Sequence, residues 1–189
     1  MGFSLNPQTP NESEFSAFYF EGREIADEVP MDLGTADISV LMHLHYNNET
    51  EGKKQLSVFS LQDIYEIYQL IGTGHIFSPN TFTNFLTTEQ GTNYAIQINN
   101  SQTFLNSNLA LTTFPFWEFS NFVVNAENLY GIDKYKILPE NSNAKNEENF
   151  ARFLNKENLG LTLFRANDHF TEFTKIEFIN GTIKETPCN

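Results

Sequence analysis

Two histidines two positions apart, His43 and His45, and a serine–acid pair three apart, Ser60 and Asp63, are the residues of this sequence best suited to chemistry. The histidines end the apolar run Ile38-Ser39-Val40-Leu41-Met42, which reads as a buried strand. Strand side chains alternate faces, so residues two apart leave the same face, as two ligands of one ion must. Ser60 opens an amphipathic helix and Asp63 falls in its first turn. Two imidazoles and one carboxylate make three protein ligands and leave a fourth tetrahedral position for water, the arrangement of a hydrolytic zinc site.

Each half of this pattern also has a plainer use. Ser-x-x-Asp ahead of an apolar helix is what an N-terminal cap looks like, because Ser60 can satisfy a free backbone N–H. A His-x-His pair on a solvated strand face needs no metal. Their order along the chain favours a joint role. A single loop connects the strand end to the helix start, and both ends then lie at one edge of a sheet, where α/β proteins place their sites.

The surrounding elements must hold these residues in place. Residues 6–11 (Asn-Pro-Gln-Thr-Pro-Asn) are polar with two prolines, so residues 1–11 read as a linker or arm and 12–189 as the domain. Residues 14–20 and 24–29 read as strands around the turn Glu21-Gly22-Arg23. The charged loop 47–55 leads to the helix 61–71, whose apolar stripe is Leu61, Ile64, Tyr68 and Ile71 and whose stop is Gly72-Thr73-Gly74. Residues 82–88 and 94–99 predict a β-hairpin. Mixed, largely helical signals follow over 101–138, then an Asn-rich surface loop at 139–146 and a helix at 147–158 ended by Gly160. Residues 159–164 and 173–179 read as closing strands, with Asn180-Gly181 as a tight turn. The class is α/β or α+β: one layered domain with a central mixed sheet flanked by helices.

Composition narrows the partners. The chain has 189 residues, 40% of them hydrophobic and nineteen of them Phe, which supports one folded core. A formal charge of −13 argues against nucleic acid or an anionic membrane as partner. No apolar stretch approaches the roughly 20 residues of a membrane helix. The lone cysteine, Cys188, excludes an intrachain disulfide framework. The first ten residues lack the pattern of a signal peptide, which favours the cytoplasm, although Met1-Gly2 also fits a domain cut from a longer protein.

A glutamate on an early strand, His43-Leu44-His45 at a strand end and Ser60-Leu61-Gln62-Asp63 opening a helix together resemble the JAMM/MPN zinc metalloproteases. The wording Phe59-Ser60-Leu61-Gln62-Asp63-Ile64 is similar to the second half of that motif, and the hairpin at 82–99 looks like its continuation in bacterial members. The resemblance covers roughly residues 12–99 in element order and fades beyond. It implies an MPN/cytidine-deaminase-like fold, Zn²⁺ held by His43, His45 and Asp63, and a polypeptide substrate cleaved at a peptide or isopeptide bond. It also implies a carboxylate base, with Glu14 the best match and Glu12 the alternate on the same strand face, and an oxyanion or water contact from Ser60. Two features depart from the family: Tyr46 stands where it has proline, and the loop 46–59 is longer.

Two other readings belong to different classes. The charge of −13 suits an acidic module that neutralises a basic partner, as immunity proteins do, and an inactive MPN-like scaffold needs no metal. The remaining residues take plain roles: His75 and His169 on turns or the surface, Phe114 to Phe119 in the core or a capping loop, and Cys188 beside the terminus.

Overall fold

A computed structural model describes the backbone of residues 2–6 and 16–20, and residues 37–47, 52, 54–76, 78–107 and 134–188 in full. One mixed sheet organises them. Its strands are β1 (Gly2–Asn6), β2 (Ser16–Phe20), β3 (Val40–His45), β4 (Thr83–Thr88), β5 (Asn93–Ile98), β6 (Leu161–Ala166), β7 (Phe173–Ile179) and β8 (Thr182–Pro187). The spatial order is β2-β1-β3-β4-β5-β6-β7-β8. Six of these strands, β3 to β8, have described side chains. Only β3 and β4 pair in parallel, and the crossover between them carries helix α1 (Leu61–Gly72). Antiparallel neighbours can be joined by tight turns, whereas a parallel pair needs a longer crossover.

Alternation along the strands sorts the sheet into two faces. In register, Leu41, His43 and His45 stand beside Asn84, Leu86 and Thr88 of β4. The same face continues through Tyr94, Ile96 and Ile98 of β5 to Leu161, Leu163 and Arg165 of β6. It packs against α1, α2 (Ser101–Leu105) and α3 (Asn143–Lys156) to form the core, in which Phe59, Ile64, Leu86, Ile96, Phe150 and Leu163 are fully buried.

Helix α1 starts where its sequence starts it. Ser60 is extended and caps the helix, and Leu61, Ile64, Ile67 and Leu70 are its buried residues. The expected stripe through Tyr68 and Ile71 is therefore turned slightly. Both belong to the same broad apolar face but lie at its flank, half-buried.

Several expectations need correction. Residues 1–11 do not form only an arm, because Gly2–Asn6 pairs with both β2 and β3 inside the sheet. The proline-rich stretch after it had hidden a short strand with little apolar signal. The loop expected at 139–146 ends earlier, at Ser142, whose side chain accepts the Lys145 N–H and starts α3 at Asn143. Asparagines obscured that start, although Asn146 and Asn149 are buried with hydrogen bonds to Leu138, Lys136 and Ser57. The β4–β5 hairpin and the β6 and β7 strands form as expected. Asn180 and Gly181, both at positive φ (52° and 87°), turn β7 into β8. The strand at 24–29 and the aromatic run Phe114 to Phe119 lie outside the described residues.

Candidate metal centre

Both histidines lie within β3 and project from its helix-facing side, with ring centroids 5.2 Å apart. The strand runs to His45, so its hydrogen bonding fixes the backbone under both imidazoles. Across the parallel pairing, the buried Asn84 of β4 places Oδ1 3.2 Å from His43 Nδ1. His45 Nδ1 lies 2.9 Å from the Leu56 carbonyl oxygen. A carbonyl only accepts, so His45 carries a proton on Nδ1 and directs Nε2 away from it. Phe59 packs against the His43 ring at 5.7 Å and stacks on Phe150 of α3 at 6.1 Å, which joins the site to the core.

The start of α1 supplies the third group. The capping box is complete: Ser60 Oγ accepts the Asp63 N–H at 3.1 Å, and Asp63 Oδ2 accepts the Ser60 N–H at 2.6 Å. Capping and ligation, which the sequence left as alternatives, are compatible here, because the cap fixes the carboxylate in an orientation that faces both imidazoles. Asp63 Oδ1 is 3.2 Å from His43 Nε2, and Asp63 Oδ2 is 3.3 Å from His45 Nε2.

Electrostatics follow from this arrangement. Burial opposes ionisation of Asp63, but the two imidazoles outweigh it and hold the carboxyl well below its ordinary range. The positive end of α1 acts in the same direction. Burial also opposes a charged His45, yet the Asp63 carboxylate and the Leu56 carbonyl together raise its pKa.

A polar network fixes the loop that delivers Leu56. Gln90, at the β4–β5 turn, donates to Asn47 Oδ1 at 3.1 Å and to the Gln55 carbonyl at 2.8 Å. The Asn47 N–H donates to Glu89 at 2.6 Å, and Thr92 Oγ1 donates to the Ser57 carbonyl at 2.7 Å. The long connection between strand and helix is thus tied at both ends to one β-turn, and the Leu56 carbonyl is held where His45 needs it.

A neutral His45 with its proton on Nδ1 presents a lone pair at Nε2 to the lone pairs of ionised Asp63, whereas a protonated His45 donates from Nε2 to Asp63. His43 Nε2 is buried with no hydrogen bond of acceptable geometry. Lone pairs converging in a half-buried site are costly without a positive charge between them. A proton on an imidazole can serve one contact, whereas a metal ion serves all three. One ligand atom from each of His43, His45 and Asp63 lies within 4.8 Å of the others. The two Asp63 oxygens face different imidazoles, Oδ1 towards His43 and Oδ2 towards His45. The three residues could therefore hold a metal ion.

The other site residues divide. His43, His45, Ser60 and Asp63 come together as the sequence indicated. Glu14 and Glu12 lie outside the described residues. The register pairs Phe20 of β2 with Gly2 and Gly2 with His43, so the Ser16 end of β2 is the one away from the histidines. His75 and His169 take no part in the cluster. Asn84 and the Leu56 carbonyl escaped the sequence reading. A polar residue in phase with Leu86 on a strand was the available signal for Asn84; a backbone carbonyl leaves none. No protein-family model matches this chain, and comparisons with curated proteins and with solved structures likewise give no match. Among the described residues, no helix is long and apolar enough to cross a membrane.

Proposed function

We propose that this chain is a zinc-dependent peptidase or isopeptidase of the JAMM/MPN type, acting on a polypeptide substrate. The supporting observation is the convergence of two imidazole Nε2 atoms and one carboxylate on a point where no protein hydrogen bond satisfies His43 Nε2. His43, His45 and Asp63 would hold the ion through those atoms. A bound zinc supplies Lewis acidity and brings its water to a pKa near 7. Ser60 Oγ already accepts from the Asp63 N–H and keeps its own O–H as a donor for the developing oxyanion. The resemblance assigns the base to Glu14, with Glu12 as the alternate, which would take a proton from water and pass it to the leaving amine; the β2 register, which turns the Ser16 end away from His43, supplies no support for that assignment. The resemblance in motif order also carries the MPN-like assignment of the fold, within the mixed α/β class.

The test joins metal content to turnover. Protein purified under zinc-replete conditions is expected to hold one zinc per chain, and the His43→Ala/His45→Ala double variant none. Hydrolysis of a panel of peptide and isopeptide substrates should stop on chelation and return with zinc. Glu14→Gln should keep zinc and lose turnover by roughly 100-fold or more, in line with general base catalysis. Full turnover in that variant, with loss in Glu12→Gln, moves the base to Glu12. A parent with no zinc refutes the reading and favours the metal-free acidic module.

A further inference from the structure

The two imidazoles are anchored at Nδ1 by different chemistry. His45 faces a backbone carbonyl, which can only accept. His43 faces the side-chain amide of Asn84, which presents an acceptor through Oδ1 or a donor through Nδ2. With Oδ1 inward, His43 must carry its proton on Nδ1, and Nε2 becomes a ligand. With Nδ2 inward, Nδ1 becomes the acceptor and the proton moves to Nε2, which blocks ligation. Metal-binding histidines commonly have their second nitrogen held by an oxygen acceptor, which fixes both the tautomer and the ring angle.

Asn84 is well placed for such work and poorly explained as packing. It is fully buried in β4, in register with Leu41, among apolar neighbours Leu86 and Ile96 on the same face. Its Nδ2 makes no hydrogen bond. An unsatisfied buried amide nitrogen costs about 1–3 kcal/mol. An apolar residue in this position would avoid that cost, so the amide has its use in Oδ1.

We infer that Asn84 is a positioning residue, which through Oδ1 selects the Nδ1–H tautomer of His43 and so makes its Nε2 available to the zinc ion. The inference rests on the zinc reading above and extends it beyond the ligands. It assigns the parallel β3–β4 pairing a role in the site, because that pairing alone brings Asn84 to His43. Asn84 touches neither substrate nor ion in this role.

Zinc affinity, measured by competition with a chromophoric chelator, tests it with three variants. Asn84→Leu is nearly isosteric and has no acceptor. It is expected to bind zinc roughly 10–100-fold more weakly, the usual effect of losing such a partner. Asn84→Asp retains only acceptors and is expected to bind zinc within a few-fold of the parent. Asn84→Ala provides the acceptor-free comparison if leucine disturbs packing, and thermal unfolding of each metal-free protein records folding separately. A purely structural asparagine predicts the reverse ranking, since a buried aspartate disrupts packing more than leucine does. In the zinc-loaded parent and Asn84→Asp, NMR should show a slowly exchanging His43 Nδ1–H proton that Asn84→Leu lacks. Unchanged zinc affinity in folded Asn84→Leu and Asn84→Ala overturns the inference while leaving the zinc reading intact. Equal weakening in Asn84→Asp also overturns it. A parent that binds no zinc overturns both.

Discussion

Two titratable clusters share the helix-facing side of the sheet, and they differ in whether their hydrogen bonds close. In the first, Arg165 of β6 donates to Glu147 Oε1 at 2.8 Å and to Glu185 of β8 at 2.7 Å, while Tyr94 of β5 donates to Glu147 Oε2 at 3.1 Å. Both Glu147 carboxylate oxygens there meet a donor. In the second, His43, His45 and Asp63 bring acceptor lone pairs together, and His43 Nε2 remains without a hydrogen bond. Both contain buried carboxylates, and Glu147 and Asp63 shift in opposite directions. Burial raises Glu147, with Arg165 offsetting it only in part, whereas two imidazoles overcome burial at Asp63 and lower it. Perturbed ionisation therefore does not by itself single out the cluster that could hold a metal ion. The gathering of three potential ligand atoms at His43, His45 and Asp63 does.

The largest expected difference between the clusters is their response to zinc. At 100 times the dissociation constant, a ligand specific to the folded state stabilises it by about 2.7 kcal/mol. The parent should show that stabilisation as a rise in denaturation midpoint when zinc is added. Asp63→Asn retains a capping side chain but removes the anionic ligand, and zinc should no longer move its midpoint. Glu147→Gln should respond to zinc as the parent does. A zinc response that depends on Glu147 would remove the distinction between the two regions.

Next in size is the loss of the closed network itself. Glu147→Ala leaves the buried Tyr94 hydroxyl without its acceptor and Arg165 with only its exposed partner. A cost of about 1–3 kcal/mol in metal-free stability is expected for such an unsatisfied buried group. Urea unfolding measures it, and zinc affinity should stay at the parent value.

Sequence reading found one of these clusters and missed the other for physical reasons. His43 and His45 were legible because the period of a strand forces them onto one face, whatever else the fold does. Asp63 was legible through the capping pattern that also fixes its carboxylate. Glu147 and Arg165 are 18 positions apart, and the β5–β6–β7–β8 order that brings Tyr94 and Glu185 to them is a tertiary fact. Asn84, 41 positions from His43, depends likewise on the parallel pairing of β3 with β4. The start of α3 was misread because asparagines that seemed to mark a loop are buried and bonded, including Asn146 to Ser57. Local periodicity thus carried the ligands, while the side chains that orient or balance them came from long-range pairing.

The clusters should also separate by pH in the metal-free protein. His45 has a pKa raised above 6.5 by Asp63. Its folded form binds the proton more tightly than the unfolded chain, so its contribution is full below 6.5 and is lost as pH rises through the folded value. Asp63 is lowered, so its contribution is present above 3.8 and is lost as pH falls through its folded value. Stability from this cluster should therefore be greatest between those limits and decline on the alkaline side. The difference in unfolding free energy between the parent and His45→Ala, followed across pH, isolates it. Zinc should reverse the alkaline decline, because protons compete with the metal for the same nitrogen.

The smallest effect is expected at the outer arm of the network. Arg165 and Glu185 are 39% and 50% exposed, and ion pairs of that kind contribute about 0–1 kcal/mol. Glu185→Gln should accordingly leave urea stability nearly unchanged, and the small loss should shrink further in 1 M salt as the charges are screened. Its more informative consequence falls on Glu147. Glu185 is one of the charges that raise the Glu147 pKa, alongside burial as the larger cause. Removing it should lower the Glu147 titration while Arg165 stays bound, an outcome visible in the carboxyl ¹³C shift of Glu147. If that titration does not move, Arg165 fully screens the two carboxylates from one another, and the network behaves as two independent pairs.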